Sequence, residues 1–325
     1  MVYKFAKEFN EIKRELEKAK KVLLVAHARP DGDTIGSVFV LREFLRNSFK
    51  KNADVTCLDP FPEYFKEIFG GADFLNPTEI DVSGYDLIIG CDAVERGFEK
   101  IVSEKEKGQK IILIDHHPHL EMKKIVPDIV VSDENYSAVC EILFEFFDFH
   151  RVEISKSMAT YLLTGILGDT GIFQHANTTP RVMEITAALM RKGAPLSKII
   201  QLSFKSKRLE TLKLWGRALE RARINEKTGA IMSYVTKEDL EELGATSEDI
   251  SSVAEILNTV SEAKFSLVLM EKDDNRIKGS LRSEWYKNVD VSEIARGLRG
   301  GGHRLASGFE IVGKLVKNEE GIVVE

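Results

Sequence analysis

Short apolar, β-branched runs punctuate the first half of the chain, and each stops at a polar residue. Residues 22–26, 55–58, 87–91, 110–114 and 129–131 read as strands. Between and after them, 34–47, 62–68, 97–107 and 138–147 carry helical patterns, and 5–21 is a charged amphipathic helix pattern. This alternation predicts an N-terminal doubly wound parallel sheet, whose ligands would sit outside the carboxyl ends of the strands. Helices dominate from Ser155 to about Arg223. Thr179 and Pro180 mark one start, Gly193-Ala-Pro195 a break, and the charged stretch 205–223 a connecting helix with a solvated face. Beyond it, 230–235, 265–270 and 278–282 are strand-like and 238–243 and 250–257 helical. The expected class is α/β: a parallel-sheet domain over 1–195, a helical linker over 196–224, and a smaller α/β domain over 225–325.

Composition narrows the class. The 325 residues favour two domains, and 43% hydrophobic residues suffice for two cores. The net charge of −6 argues against tight nonspecific binding of long nucleic acid. An anionic ligand would have to meet local positive charge or metal ions. Cys57, Cys91 and Cys140 lie singly in apolar runs without a CxxC, as buried thiols of a reducing compartment do. The N-terminal segment is too polar for a signal peptide, and no apolar run approaches the ~18 residues of a membrane span. A cytoplasmic protein without a membrane partner is expected.

The chemistry gathers where the strands stop. Residues 111–118 read Ile-Ile-Leu-Ile-Asp115-His116-His117-Pro118. The run from Val22 ends at His27, with Asp31 and Asp33 following, and the run from Asp86 ends at Asp92. Three such ends point to a metal-dependent hydrolase. Gly32 allows the backbone around Asp31 and Asp33 to approach closely, so the two carboxylates can reach two neighbouring cations. Carboxylates mixed with imidazole favour Mn²⁺ over Mg²⁺. Each member also has a plainer reading: Asp33, Asp92 and Asp115 as helix caps, Asp169 as a turn former in Gly168-Asp-Thr-Gly171. The adjacent His116–His117 pair behind an apolar strand is what the plainer readings leave without partners.

Taken in order, the set resembles the DHH phosphoesterase family, named for the Asp115-His116-His117 triplet. The other motifs are His27-x-x-Pro30-Asp31-Gly32-Asp33-x-x-Gly36-Ser37, the strand end Asp92, and Leu163-Thr-Gly-Ile-Leu-Gly-Asp169-Thr170. Gly300-Gly301-Gly302-His303-x-x-Ala306-Ser307-Gly308 looks like the signature of the DHH-associated domain. Size and motif order look most like the nanoRNase and pAp-phosphatase branch. The resemblance implies two Mn²⁺ ions, with Mg²⁺ or Co²⁺ as substitutes. His27, Asp31 and Asp92 would hold one, and Asp33, Asp92, His116 and Asp169 the other, with Asp92 bridging. Water activated between them would attack the phosphate in line.

The same resemblance assigns His117 to the substrate phosphate or the leaving oxygen, and Asp115 to orienting a histidine. Arg29 adds charge at the mouth or is a solvated loop arginine. From the C-terminal domain, Gly300, Gly301 and Gly302 would bring backbone N–H groups to a phosphate or base, or form a flexible turn. His303 would reach the scissile phosphate. Arg282, beside Ser283, would grip a terminal 5′-phosphate. The implied substrates are short oligonucleotides and small adenine nucleotides: pApA, nanoRNA, cyclic di-AMP, and pAp cut to AMP. No long nucleic acid is required, and a homodimer is compatible. Arg299 departs from relatives that carry a fourth glycine there. Three alternatives stand beside this reading. A manganese-dependent inorganic pyrophosphatase should carry a basic Ser-Arg-Lys-Lys-type signature, which is absent. A non-catalytic nucleotide-binding sensor need not have kept every ligand. A RecJ-like exonuclease would need an aromatic–basic groove, and none is evident.

Overall fold

The computed structural model describes residues 3–92, 97–103, 105–117, 125–202, 208–247, 249–250, 252–272, 275–318 and 321–325. The chain divides into two units, Met1–Ser206 and Lys207–Glu325. The first unit runs α1 (Ala6–Lys18), β1 (Val22–Ala26), α2 (Gly32–Phe49), β2 (Ala53–Thr56), α3 (Glu63–Lys66), β3 (Leu87–Cys91), α4 (Phe98–Ile101), β4 (Lys110–Asp115), β5 (Ile129–Ser132), α5 (Val139–Phe149), α6 (Lys156–Asp169), α7 (Pro180–Arg191) and α8 (Leu196–Ile200).

The five strands form one parallel sheet in the order β2-β1-β3-β4-β5. They are apolar on both faces because both faces are covered. Leu24, Ile89, Ile112 and Ile114 pack with Phe9, Val38, Leu41, Phe146 and Leu163 on one side. Leu23, Val25, Ile88, Ile111 and Leu113 pack with Phe98, Ile101 and Val102 on the other. The strand order reverses between β1 and β3, so a crevice opens at their carboxyl ends.

Two expected helices are shorter than their sequence pattern. The 62–68 pattern yields only α3, followed by Gly70 and Gly71 at positive φ. The 97–107 pattern yields only α4 among the described residues. Phe98, fully buried, pins it against the sheet, and Val102 already leaves helical geometry at φ −107° and ψ 87°. As expected, the Thr179 side chain caps α7 by accepting from Val182 N–H, with Pro180 in the first turn.

Helices α2 and α6 cross at contact distance because both present glycine. A Cβ at Gly36 would stand 2.5 Å from the Tyr161 carbonyl oxygen, and one at Gly32 2.9 Å from that of Thr164. At Gly165 it would stand 2.3 Å from Cys140 Sγ and 2.6 Å from Asp33 Oδ1. The crossing brings the start of α2 against the end of α6. Cys57, Cys91 and Cys140 are buried and free.

The second unit runs α9 (Leu209–Glu220), β6 (Arg223–Asn225), β7 (Ala230–Val235), α10 (Lys237–Leu243), α11 (Val253–Asn258), β8 (Phe265–Lys272), β9 (Arg276–Arg282), α12 (Val291–Gly297), β10 (Gly301–His303), β11 (Ala306–Val312), β12 (Leu315–Asn318) and β13 (Gly321–Val324). Its six-stranded sheet has the order β10-β11-β9-β8-β7-β6, with only β7 and β8 parallel. The stretch 196–224 divides between the units. α8 lies in the first, while α9 buries Leu214 and Ala218 in the second. The charges of the 205–223 stretch are not all solvated: Arg217 of α9 and Arg221, just past its end, converge on buried Asp239. Among the described residues no helix is long and apolar enough to cross a membrane.

Candidate metal centre

The carboxyl ends of β1, β3 and β4 deliver His27, Asp92 and Asp115, the last followed by His116 and His117. The N-terminus of α2 adds Asp31 and Asp33, and the last residue of α6 adds Asp169. The structure therefore brings together, within the first unit, all six residues expected as ligands. Their donor atoms fall into two separate groups, His27–Asp31–Asp92 and Asp33–His116–Asp169, and a third group, Asp92–His116–His117, links them.

The histidines show what the site is built to receive. His27 Nδ1–H donates to the Ala28 carbonyl at 2.8 Å, and His116 Nδ1–H to the Tyr136 carbonyl at 3.3 Å. A carbonyl only accepts, so in both rings Nε2 is the nitrogen left for a ligand. His27 Nε2 lies 3.1 Å from Asp31 Oδ2 and 3.1 Å from Asp92 Oδ2. His116 Nε2 lies 3.0 Å from Asp169 Oδ2 and 3.8 Å from Asp92 Oδ1. Both nitrogens and Asp92 Oδ1 are nonetheless buried without an aligned hydrogen bond among the described residues. Buried polar atoms are normally paired. Two orphaned imidazole nitrogens facing carboxylates fit divalent cations, with the backbone carbonyls fixing each ring from behind.

The acids are placed differently from the plainer reading. Asp31, not Asp33, caps α2, accepting from Asp33 N–H at 3.1 Å and Thr34 N–H at 3.2 Å. Asp33 is fully buried and accepts from Val139 N–H at 2.6 Å and Cys140 N–H at 2.9 Å, at the start of α5. Asp92 sits at a positive φ of 55°, a conformation that costs backbone energy and recurs at functional sites. Asp115 accepts from His117 N–H at 3.0 Å and lies 2.9 Å from His117 Nδ1, so it orients His117 rather than His116. Asp92 Oδ1 lies 2.9 Å from the same Nδ1. Arg29 is exposed in the turn between His27 and Asp31, at a φ of 58°.

Proton affinities carry the signature of crowded carboxylates. Burial pulls His27 down, but Asp31 and Asp92 push it up to about 10. Against the same opposing burial, Asp169, Asp33 and Asp92 raise His116 to about 9. Burial, then Asp31 and Asp92, lift Asp169 to about 6 despite His116. Burial and the neighbouring Asp169 and Asp92 carboxylates raise Asp33 well above its ordinary value. Asp92 alone is held low, because His117 and His27 outweigh its burial. Protons here sit where cations would otherwise balance four carboxylates.

Several supporting groups had no visible signal in the sequence. Thr34 Oγ1 donates to the Cys91 carbonyl at 2.9 Å and accepts from His27 N–H at 3.1 Å, tying β1 to β3 at the crevice. Asn177 Nδ2 reaches the Asp169 carbonyl at 3.1 Å and the Ser137 carbonyl at 3.3 Å. Ala28 and Tyr136 act through backbone carbonyls that any residue would offer.

The second unit holds the remaining expected residues at one end of its sheet. Ala306 of β11 is opposite both Arg282 of β9 and His303 of β10. Ser283 N–H donates to the Leu305 carbonyl at 2.9 Å, while its buried Oγ has no hydrogen-bond partner among the described residues. Gly300, Gly301 and Gly302 do not form a flexible turn, since Gly301–His303 is a strand. A Cβ at Gly300 would stand 2.2 Å from the Gly308 carbonyl oxygen, and Gly302 adopts a φ of 133°. Close approach to β11 accounts for both; only Gly301 faces open space.

Residues 21–166 match the DHH family N-terminal domain and residues 227–321 the DHHA1 domain. The chain is 29% identical to the bifunctional oligoribonuclease and PAP phosphatase NrnA of Bacillus subtilis, over 93% of this chain and 92% of that protein. It is also 29% identical to the protein of that name from Thermus thermophilus, over 90% and 84%. The crystal structure of an exopolyphosphatase-related protein from Bacteroides fragilis superposes with a TM-score of 0.86 at 27% identity, over 96% of this chain and 94% of that one. The exonuclease RecJ bound to manganese shares the fold, with a TM-score of 0.50 and 14% identity. Fold and site thus define a hydrolase of phosphate esters, and the chain belongs to the DHH family, with a DHHA1 domain following its DHH domain. Within that family its full-length likeness runs to the bifunctional oligoribonucleases and PAP phosphatases.

Proposed function

We propose that this protein is a Mn²⁺-dependent cytoplasmic phosphodiesterase and phosphatase. It cuts short oligonucleotides and linear or cyclic di-adenylates to mononucleotides, and pAp to AMP. The observation that carries the metal-dependent chemistry is the pair of orphaned Nε2 atoms, on His27 and His116, facing four carboxylates. The substrate class rests on likeness to proteins named as oligoribonucleases and PAP phosphatases.

His27, Asp31 and Asp92 would hold one cation and Asp33, His116 and Asp169 a second. Asp92 reaches both because its two oxygens face different histidines. Bound there, divalent cations supply Lewis acidity toward phosphoryl oxygens and an activated water. Asp115 holds the His117 ring in place through Nδ1, so any work on substrate falls to its Nε2: contacting the phosphate, or giving a proton to the leaving oxygen. In the second unit Arg282 and His303, aligned across β9, β11 and β10, grip phosphates.

A product time course with Mn²⁺ on pApA, short RNA, cyclic di-AMP, pAp and inorganic pyrophosphate tests the reading. Mononucleotide release from the dinucleotide or short RNA is expected. Turnover of pyrophosphate alone, or of nothing, overturns it.

A further inference from the structure

The second unit displays two adjacent aromatic rings to solvent. Trp285 is 57% exposed and Tyr286 75%. Both sit on the single turn of 3₁₀ helix Trp285–Lys287, separated from Arg282 and Ser283 by Glu284 alone. One exposed apolar residue needs no account. This pair differs because the turn that carries it is anchored. Lys287 Nζ, half-buried, donates to the backbone carbonyl of Asn258 and to that of Val260 at 3.1 Å, at the end of α11. Lys287 N–H closes the turn onto the Glu284 carbonyl at 3.0 Å. The rings are therefore presented on a fixed support.

Charge and register say what the rings face. The Arg304 guanidinium lies over the Trp285 ring, 5.3 Å from its centroid, and donates to Asn288 Oδ1 at 3.2 Å. Arg304 follows His303 in the two-residue turn between β10 and β11. Its carbonyl accepts from Val291 N–H at 2.9 Å, which closes the Trp285 segment against that turn. Arg282 and His303 lie two strands apart, each opposite Ala306, roughly 10 Å at the spacing of adjacent strands. The buried, unpartnered Ser283 Oγ lies between the aromatic turn and this phosphate-binding edge in sequence. An aromatic face backed by an arginine, next in sequence to an Arg282–His303 edge, is the chemistry that receives a nucleobase attached to a phosphate.

We propose that Trp285, backed by Arg304 and flanked by Tyr286, is a base-stacking subsite for the nucleobase of an oligonucleotide whose phosphate is held at the Arg282–His303 edge. This rests on the oligonucleotide reading above and adds to it where bases, rather than phosphates, are recognised. Stacking accepts any base, so the subsite favours substrates that carry a base at that place without choosing its identity. Two rings accommodate one or two nucleotides, which suits short substrates and not long strands. The aromatic–basic surface that the sequence did not reveal thus exists in a small form.

Steady-state kinetics of the full, Mn²⁺-loaded chain test the subsite. With Trp285→Ala, KM for 5′-phosphorylated di-adenylate should rise roughly tenfold while kcat stays within about twofold, as the loss of one stacked base implies. An analogue lacking the base at the non-scissile position should show no change, and Trp285→Phe should restore most of the loss. An unchanged KM, or an equal rise with the base-free analogue, overturns the proposal. Tryptophan emission gives a readout independent of turnover. A di-adenylate with a methylphosphonate linkage, which is not cleaved, should quench the wild-type protein and not Trp285→Phe. Quenching by that analogue without cleavage of ordinary di-adenylate would leave the subsite standing and sink the catalytic reading. Cleavage without quenching would do the reverse.

Discussion

Asp92 faces three of the site's imidazoles, those of His27, His116 and His117, and its own backbone is strained to place its oxygens. Asp92→Asn keeps the shape and removes the charge, so it should lower bound Mn²⁺ below two per chain and cut dinucleotide turnover at least ~100-fold. Metal counting on the purified variant checks the first and a product assay the second; two ions retained with near-normal turnover would remove Asp92 from a bridging role. The ligand candidates were legible because acids and imidazoles at the ends of apolar runs are conspicuous. The groups that aim them were not. Nothing distinguishes the Ala28 and Tyr136 carbonyls, or the Val139 and Cys140 amides that hold Asp33, until the chain is folded. Asn177, a plain loop asparagine in sequence, turns out to tie Asp169 to the segment that carries Tyr136.

The crossing of α2 and α6 sets the distance between acids that are far apart in sequence. Gly165→Ala would place a methyl group 2.6 Å from Asp33 Oδ1 and 2.3 Å from Cys140 Sγ, in a region with no room to yield. A loss of about 1–3 kcal/mol in stability is expected, with weaker Mn²⁺ binding because Asp33 is pushed aside. Gly216→Ala on α9 is the comparison, since nothing lies within 4 Å of its would-be Cβ. It should be neutral or stabilise by up to about 1 kcal/mol. Denaturant unfolding of both variants measures the contrast; equal effects would mean the crossing tolerates a methyl group. The elements themselves were read unevenly. Apolar runs such as Val22–Ala26 and Leu87–Cys91 matched their strands because burial on both faces leaves no ambiguity. The 97–107 pattern overshot, since buried Phe98 and Ile101 fix a single turn against the sheet and the next residue, Val102, stays buried only by leaving helical geometry. Strand β10 was hidden because its two glycines, of which Gly302 gives clearance against β11, read as a loop.

Across the whole molecule, the centre couples folding to protons and cations in opposite senses. His27 and His116 keep their protons up to about 10 and 9 in the fold, against an ordinary 6.5, and Asp169 up to about 6, against 3.8. The metal-free folded state thus binds more protons than the unfolded chain. The histidine contribution is full below pH 6.5 and is lost as pH passes 9 to 10, and that of Asp169 is spent by about pH 6. In a chelator, the thermal midpoint should therefore fall as pH rises from 6 to 8.5. Mn²⁺ competes with those protons, so the midpoint gain on adding it should grow over the same range. Thermal scans with and without Mn²⁺ at several pH values decide it; a flat or rising midpoint in the chelator would contradict the proton count. Asp92, held low, matters only in acid, where its contribution is lost as pH falls below 3.8.

The glycines of the α2–α6 crossing bear on how such chains are recognised at all. Gly32, Gly36 and Gly165 stand among the letters of the motifs, yet the first two record how near two backbones must come, the third how closely the Cys140 and Asp33 side chains press on α6, and none performs chemistry. A signature of this kind mixes two inheritances, one of architecture and one of reactivity. A descendant could exchange Asp31 or Asp169 for neutral residues, keep every glycine, and still assemble the same framework as a protein that holds nucleotides without cutting them. Whether any given chain turns over substrate is written in the acids and imidazoles; the glycines testify only to shared construction.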